Sequence, residues 1–244
     1  MALTDGLVSY YKFDGNANDS VGSNNGIVHS ATVTSSGKIN QAYDYNYNSG
    51  TQYISYSSTE LNQNTFNNDY SVSLWVKPNA FPSSDWYTII NKSYTSHTSP
   101  YYQFLLKAQS NGFQFLFTDS SNNSAQTIDY NTSTIKWYHL IFTYNSTAKQ
   151  FNIYVDGINR GNLIVGNHTN YNTYITTGIL SNLTTNSKYQ MKGSIDEMGF
   201  WNRELSASEV STLYNSGAGL SYPFGVTTSV SNNNFFTLSL GAEF

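Results

Sequence analysis

GSIDEMGFWNRELSASEVSTLYNSG, residues Gly193 to Gly217, reads in order as a strand, a turn and a short helix. Ile195, Met198, Phe200 and Trp201 give the apolar, β-rich content of a strand, and Asn202-Arg203 breaks it. Ser206 stands three residues before Glu209, the reciprocal capping box that satisfies orphan amides at a helix start. Val210, Leu213 and Tyr214 follow at helical spacing, and Gly217 stands where the helix is expected to stop. Asp196 is the misfit: strict alternation puts it on the face of Met198 and Phe200, the one a sheet buries. A buried carboxylate needs a partner, because an unpaired charge in an apolar interior is too costly to keep.

Outward from this segment, the chain is strand after strand. Leu7 to Phe13 opens it, and Tyr70 to Pro78 (YSVSLWVKP) has Val72, Leu74 and Val76 on one face with Pro78 closing it. Further strands are predicted at Trp86 to Asn91, Tyr101 to Lys107, Gly112 to Thr118, Trp137 to Tyr144 and Phe151 to Val155, the last followed by the hairpin pair Asp156-Gly157. Only the residues around Ala207 to Asn215 read as helix. This pattern predicts an all-β, two-sheet antiparallel sandwich with one short C-terminal helix. The chain divides into a domain over residues 1–219 and a segment 220–244 that closes a sheet edge as a last strand or pairs with a neighbouring subunit by strand addition.

Charged residues make up 11% of the 244 and aromatics 16%, with 21 tyrosines, so solubility rests on amides and hydroxyls. The net charge of −4, with scattered Lys and Arg, gives no footprint for nucleic acid or an anionic membrane. No run approaches the roughly 18 apolar residues of a membrane helix, so no membrane insertion is expected. The absence of cysteine excludes disulfides, thiol catalysis and thiolate metal sites. MALTDGLVSYYKF carries no signal-peptide pattern, which leaves a processed secreted module or a component of a virus particle.

Two groups of residues carry site chemistry. Asp14, Asn16 and Asn18 alternate along a turn with Asp19 beside them, a set of hard oxygen donors that departs from an EF-hand loop at Asp19 and Asn25. Two readings stand: a series of Asx turns, with Asp196 bonding backbone amides or Arg203, or a calcium site completed by Asp196 if the first and last strands pair. For catalysis, none of the five glutamates belongs to a spaced carboxylate pair, and alternation points Asp196 and Glu197 to opposite faces. Histidines 29, 97, 139 and 168 are isolated, and no nucleophile elbow or phosphate-binding glycine loop is present. The chain is therefore not expected to be an enzyme.

The opening LVSYYKFDGNANDSVGSNNG, the central YSVSLWVKP, the WYHLIFTYN and IYVDG pair, and the closing GSIDEMGFWNRELSASEVSTLYN occur in the order of the laminin-G-like, concanavalin-A-like jelly-roll family, which the chain resembles up to Gly217. The resemblance implies a jelly-roll recognition module, often for carbohydrate, and a structural calcium held here by Asp14, Asn16, Asn18, Asp19 and Asp196. Sugar rings stack on flat aromatics while their hydroxyls bond amides and carboxylates. Trp86, Tyr87, Tyr94, Tyr101 and Tyr102 are the candidate ligand residues, Trp86 foremost. The expected function is non-catalytic binding of a glycan or cell-surface polysaccharide, in an extracellular module or on a virion, with assembly through residues 220–244. The alternatives are a virion subunit without glycan binding and an accessory module of a secreted glycoside hydrolase.

Overall fold

The computed structural model describes residues 1–46, 51–93, 102–120, 124–180 and 189–225. Among these, two antiparallel sheets pack face to face. The first has the order β13 (Ile158–Ile164), β12 (Gln150–Val155), β11 (Tyr138–Asn145), β6 (Tyr70–Pro78), β15 (Lys192–Trp201), β4 (Ala42–Asn46) and β3 (Thr32–Thr34), with β1 (Leu7–Tyr11) also paired to β15. The second has the order β10 (Ser124–Asn131), β9 (Gly112–Asp119), β8 (Tyr102–Gln109), β7 (Tyr87–Ser93), β14 (Ile175–Thr177), β5 (Tyr53–Tyr56) and β2 (Ile27–His29). The expected all-β sandwich is what forms, and the first strand pairs with the last, Leu7 opposite Trp201 and Tyr11 opposite Met198. Residues 226–244, and with them most of the segment read as a closing strand or arm, lie outside the described residues.

Period-2 alternation builds the core. Val72, Leu74 and Val76 of β6 and Leu140 and Phe142 of β11 meet Phe104 and Leu106 of β8 and Phe113, Phe115 and Phe117 of β9. Rings fill much of the space between the sheets, as where Phe117 stacks on Phe151 at 3.7 Å. The outer face of the first sheet is also covered. Helix α1 (Ala207–Tyr214) sets Val210 and Leu213 against Tyr10, Ile141, Tyr154 and Trp201. Its capping box is formed, with Ser206 N donating to Glu209 Oε2 at 2.9 Å and Glu209 N to Ser206 Oγ at 3.3 Å. The helix ends before Gly217, at Asn215, which adopts the left-handed conformation that amides tolerate. Burial raises the Glu209 carboxyl, but the Arg203 guanidinium and Ser206 outweigh it and hold it down at about 2.

The central strand β15 contains the feature that positions its acidic pair. Its register with β6 slips between Asp196 and Gly199, and Glu197 has φ 47°, so a bulge interrupts the alternation. Ile195, Met198 and Phe200 face the core, whereas Asp196 lies opposite Trp75, which stacks with His139 and Tyr214 in the outer layer. Two expectations are corrected by this one inserted residue. Asp196 does not share the face of Met198 and Phe200, and Glu197 does not point away from it: Glu197 lies with Tyr10 and Ser221, also on the outer side. Both carboxyls are buried. Asp196 accepts hydrogen bonds from the backbone amides of Lys38 (2.7 Å), Ile39 (3.0 Å) and Glu197 (2.9 Å). Neither Glu197 oxygen has a hydrogen-bond partner of good geometry. Burial raises both carboxyls: Asp196 to about 8, the three amides offsetting only part of the effect, and Glu197 to about 7 against the nearby Tyr10 and Ser221 hydroxyls.

Lys92 of β7 is a fully buried cation. Its ammonium donates to the carbonyls of Asn62 (3.0 Å), Tyr171 (2.6 Å) and Thr173 (2.7 Å), tying two loops to the second sheet, and burial pushes it down to about 7. Lys92→Met removes the common donor of three carbonyls and is expected to destabilise the fold by about 3 kcal/mol or more. A shift in the denaturation midpoint worth less than about 1 kcal/mol would contradict that role. Glu197 supplies a pH test. Its folded-state value lies above its ordinary 4.5, so its contribution to stability is complete below about 4.5 and is lost as pH rises through about 7. Glu197→Gln, neutral at every pH, is expected to flatten that decline and melt a few degrees above wild type at pH 8. Parallel stability profiles for the two proteins would overturn the assignment.

Candidate functional site

The Asp14 to Asp19 turn follows β1 and opens a pocket of about 220 Å³ lined by Lys12, Phe13, Asp14, Asn16, Asn18, Asp19 and Ser20. Four of the five residues expected to hold calcium therefore share one hollow, but the side-chain oxygens of Asp14, Asn16 and Asp19 already accept hydrogen bonds. Asp19 Oδ1 accepts from the amides of Tyr10 (3.0 Å) and Val21 (3.0 Å), and its Oδ2 accepts from Asn24 N (3.1 Å). Asp14 accepts from Gln41 N (3.0 Å) and Asn40 Nδ2 (3.2 Å), and Asn16 Oδ1 accepts from Asn18 N (2.9 Å) in an Asx turn.

Asp196 joins none of them. It and Asp14 do converge, but on the backbone of the 38–41 turn, Asp196 at Lys38 and Ile39 and Asp14 at Gln41. Among the described residues no group of three or more His, Cys, Asp or Glu side chains is placed to hold a metal ion. Asp14, Asn16 and Asp19 thus already accept hydrogen bonds from amides, Lys12 lines the same hollow, and Asp196 stands apart, so the five residues expected to hold calcium are not assembled as one donor set.

The ligand candidates separate in the same way. Tyr94 and Tyr101 lie outside the described residues. Tyr87 packs against the core. Tyr102 is buried in an outer cluster of the second sheet with Leu105 and Leu180. Trp86, just before β7, is half-buried on that same sheet, stacked on Tyr189 at 4.1 Å and 16° with the Lys107 ammonium 4.4 Å from its ring centre. Its Nε1 and the neighbouring Thr88 hydroxyl have no hydrogen-bond partner. Cross-strand pairing sets a polar row beside it, Thr88 opposite Lys107, Lys107 opposite Gln114 and Gln114 opposite Asp129, with Gln114 Nε2 donating to Asp129 Oδ1 at 2.8 Å. An aromatic pair next to amide, ammonium and carboxylate is the chemistry that holds a polyhydroxylated ring. Tyr189 and Lys107 went unflagged in the sequence. Lys107 was accessible to it, as the outward position alternating with Leu106 in YQFLLKAQ; Tyr189 was not, because only its packing brings it to Trp86.

The remaining acidic groups have structural partners. Glu204 accepts from Asn145 (2.9 Å) and Asn152 (3.0 Å), and Glu209 is held in a two-point contact by Arg203 (2.7 and 3.0 Å). His139 is buried between rings, with Nε2 2.9 Å from Ser73 Oγ, and burial lowers it to about 3.

Comparison with solved structures finds the same fold at low identity. The binding domain of botulinum neurotoxin DC, in complex with rat synaptotagmin II, superposes with a TM-score of 0.68 at 19% identity, over 88% of this chain and 52% of that one. The binding domain of Paraclostridial Mosquitocidal Protein 1 gives 0.69 at 18% identity, over 88% and 53%. A structure of botulinum neurotoxin type C, whose cell entry depends on two ganglioside molecules, gives 0.68 at 18% identity, over 87% and 51%. The chain thus spans about half the length of these binding domains. A sequence search among curated proteins finds no match. The model of the concanavalin A-like lectin/glucanases superfamily matches residues 48–211, well over half of the chain, and with its jelly-roll sandwich the protein belongs to that superfamily.

Proposed function

We propose that this protein is a non-catalytic recognition module that binds a glycan or cell-surface polysaccharide, displayed on a cell surface or virion. The observation that carries the reading is the Trp86–Tyr189 stack beside the Thr88, Lys107, Gln114 and Asp129 row on the outer face of the second sheet. Ganglioside dependence of a structural neighbour is consistent with it. The site is expected to work by shape and hydrogen bonding. A sugar ring lies against the aromatic pair, and its hydroxyls meet the Lys107 ammonium and the Gln114–Asp129 pair.

A second reading, an assembling virion subunit, is favoured by one observation. The edge strands β2 and β3 expose Ile27 (53%), Val28 (38%) and Val33 (39%), apolar side chains on strand edges with pairing capacity to spare. Sedimentation separates the readings, since a lectin that works alone stays monomeric and an assembling subunit does not.

Screening on a glycan array followed by calorimetry tests the principal reading. Trp86→Ala and Tyr189→Ala are each expected to weaken binding at least tenfold, about 1.4 kcal/mol, with unfolding transitions that remain cooperative. A wild-type protein that binds no glycan, or variants that bind as well as it does, would sink the proposal. Because amides occupy the donors of the Asp14 to Asp19 turn, adding calcium to chelated protein is expected to leave the melting temperature unchanged. A calcium-dependent rise of several degrees would restore the metal site.

A further inference from the structure

The chain has two arginines, and the fold uses one of them. Arg203 is consumed by its two-point contact with Glu209 and by the carbonyls of Ala2 (3.0 Å) and Asp5 (2.6 Å). Arg160, on β13, is exposed and pairs with no carboxylate among the described residues. Its guanidinium instead lies over the ring of Tyr130, 5.0 Å from the centre, a contact that uses its flat face and leaves its N–H edge free.

Beside Arg160 a cleft of about 520 Å³ opens between the end of β10, the β12–β13 turn and the last turn of α1. That volume suits a sugar residue or two. Tyr130, Lys136, Asp156, Arg160 and Tyr214 supply its chemistry. Asp156 is fixed and neutralised: Oδ2 takes the Lys136 ammonium at 2.7 Å and Oδ1 accepts the His139 amide at 2.9 Å. Two cations against one carboxylate leave the cleft at +1 in a chain of net charge −4. Its wall is firm, because Tyr214 stacks on Trp75 at 5.8 Å, and Gly157 comes so close that an added Cβ would sit 2.9 Å from the Tyr214 ring.

We propose that this cleft binds a saccharide bearing a carboxylate, with Arg160 gripping the acid group and Tyr214 receiving the apolar face of the sugar ring. A guanidinium without a partner matches a carboxylate through two parallel hydrogen bonds, which no neutral hydroxyl reproduces. Lys136, already paired with Asp156, adds field more than contact. The inference rests on the reading of the protein as a glycan binder but places the acid-selective contact in a separate cleft, where the edge strands β10 and β13 meet α1, and not at the Trp86–Tyr189 pair.

The test is calorimetry with oligosaccharides ending in glucuronic acid, the same ending in sialic acid, the methyl ester of each, and a poly-glutamate peptide. At least one acidic sugar is expected to bind, and which one does identifies its source. Its methyl ester should bind at least tenfold more weakly, and affinity should fall as salt rises. Arg160→Gln should cost at least tenfold for the acid and leave neutral glycans bound at the Trp86 face unaffected; Arg160→Lys should restore the affinity only in part. Equal binding of acid and ester, full acid binding by Arg160→Gln, or acid binding lost in Trp86→Ala would overturn this inference and leave the glycan reading intact. Tight binding of poly-glutamate would overturn the saccharide class. No binding of any glycan would overturn both.

Discussion

The carboxylate of Asp196 occupies the one place where the first sheet changes neighbours. On one side β15 is flanked by β6 along most of its length; on the other it pairs with β4 through Ile195 and with β1 from Met198 onward. A gap in hydrogen bonding is unavoidable where one neighbour ends and the next begins, and backbone groups facing it must find partners or carry a penalty of several kcal/mol. The amides of Lys38 and Ile39 enter there, and Asp196 accepts both. Asp14 does the same for Gln41 a few residues along. Two carboxylates thus cap one turn, and through it the start of the chain is fixed to its central strand.

The two neighbouring acids differ in their partners. Asp196 has three amide donors, whereas Glu197, displaced to the same side by the bulge, has only the Tyr10 and Ser221 hydroxyls nearby; burial raises both carboxyls. The positive φ of Glu197 and the two acids lie buried beneath the outer layer formed by Tyr10, α1 and the residues around Leu220.

Much of this was legible in the sequence because it follows from local rules. Alternation located β1, β6, β8, β9, β11 and β12, since each buries one face; Ser206 and Glu209 announced the helix; and the need of Asp196 for partners was evident before the partners were known. The failures share a cause. A bulge adds one residue without any compositional mark, so the face of Asp196 was read as strictly alternating when it is not. The edge strand β13, INRGNLI, buries too little for its alternation to show. The amide partner of Asp14 lies in the 38–41 turn, which only tertiary structure brings to it. The Trp86 platform was half visible: the indole was, its partner Tyr189 was not.

The position of β15 bears on how the protein is made. It is the last strand in the described sequence and the middle of its sheet, so β6 and β11 to β13 on one side and β3 and β4 on the other have no common seam until it emerges. Pairing β1 with Trp201 closes a loop spanning most of the chain, the kind of non-local contact that slows folding. During synthesis the first sheet therefore waits as two open halves, each with unpaired edges flanking the missing strand, and their exposure to wrong partners ends only when Lys192–Trp201 arrives.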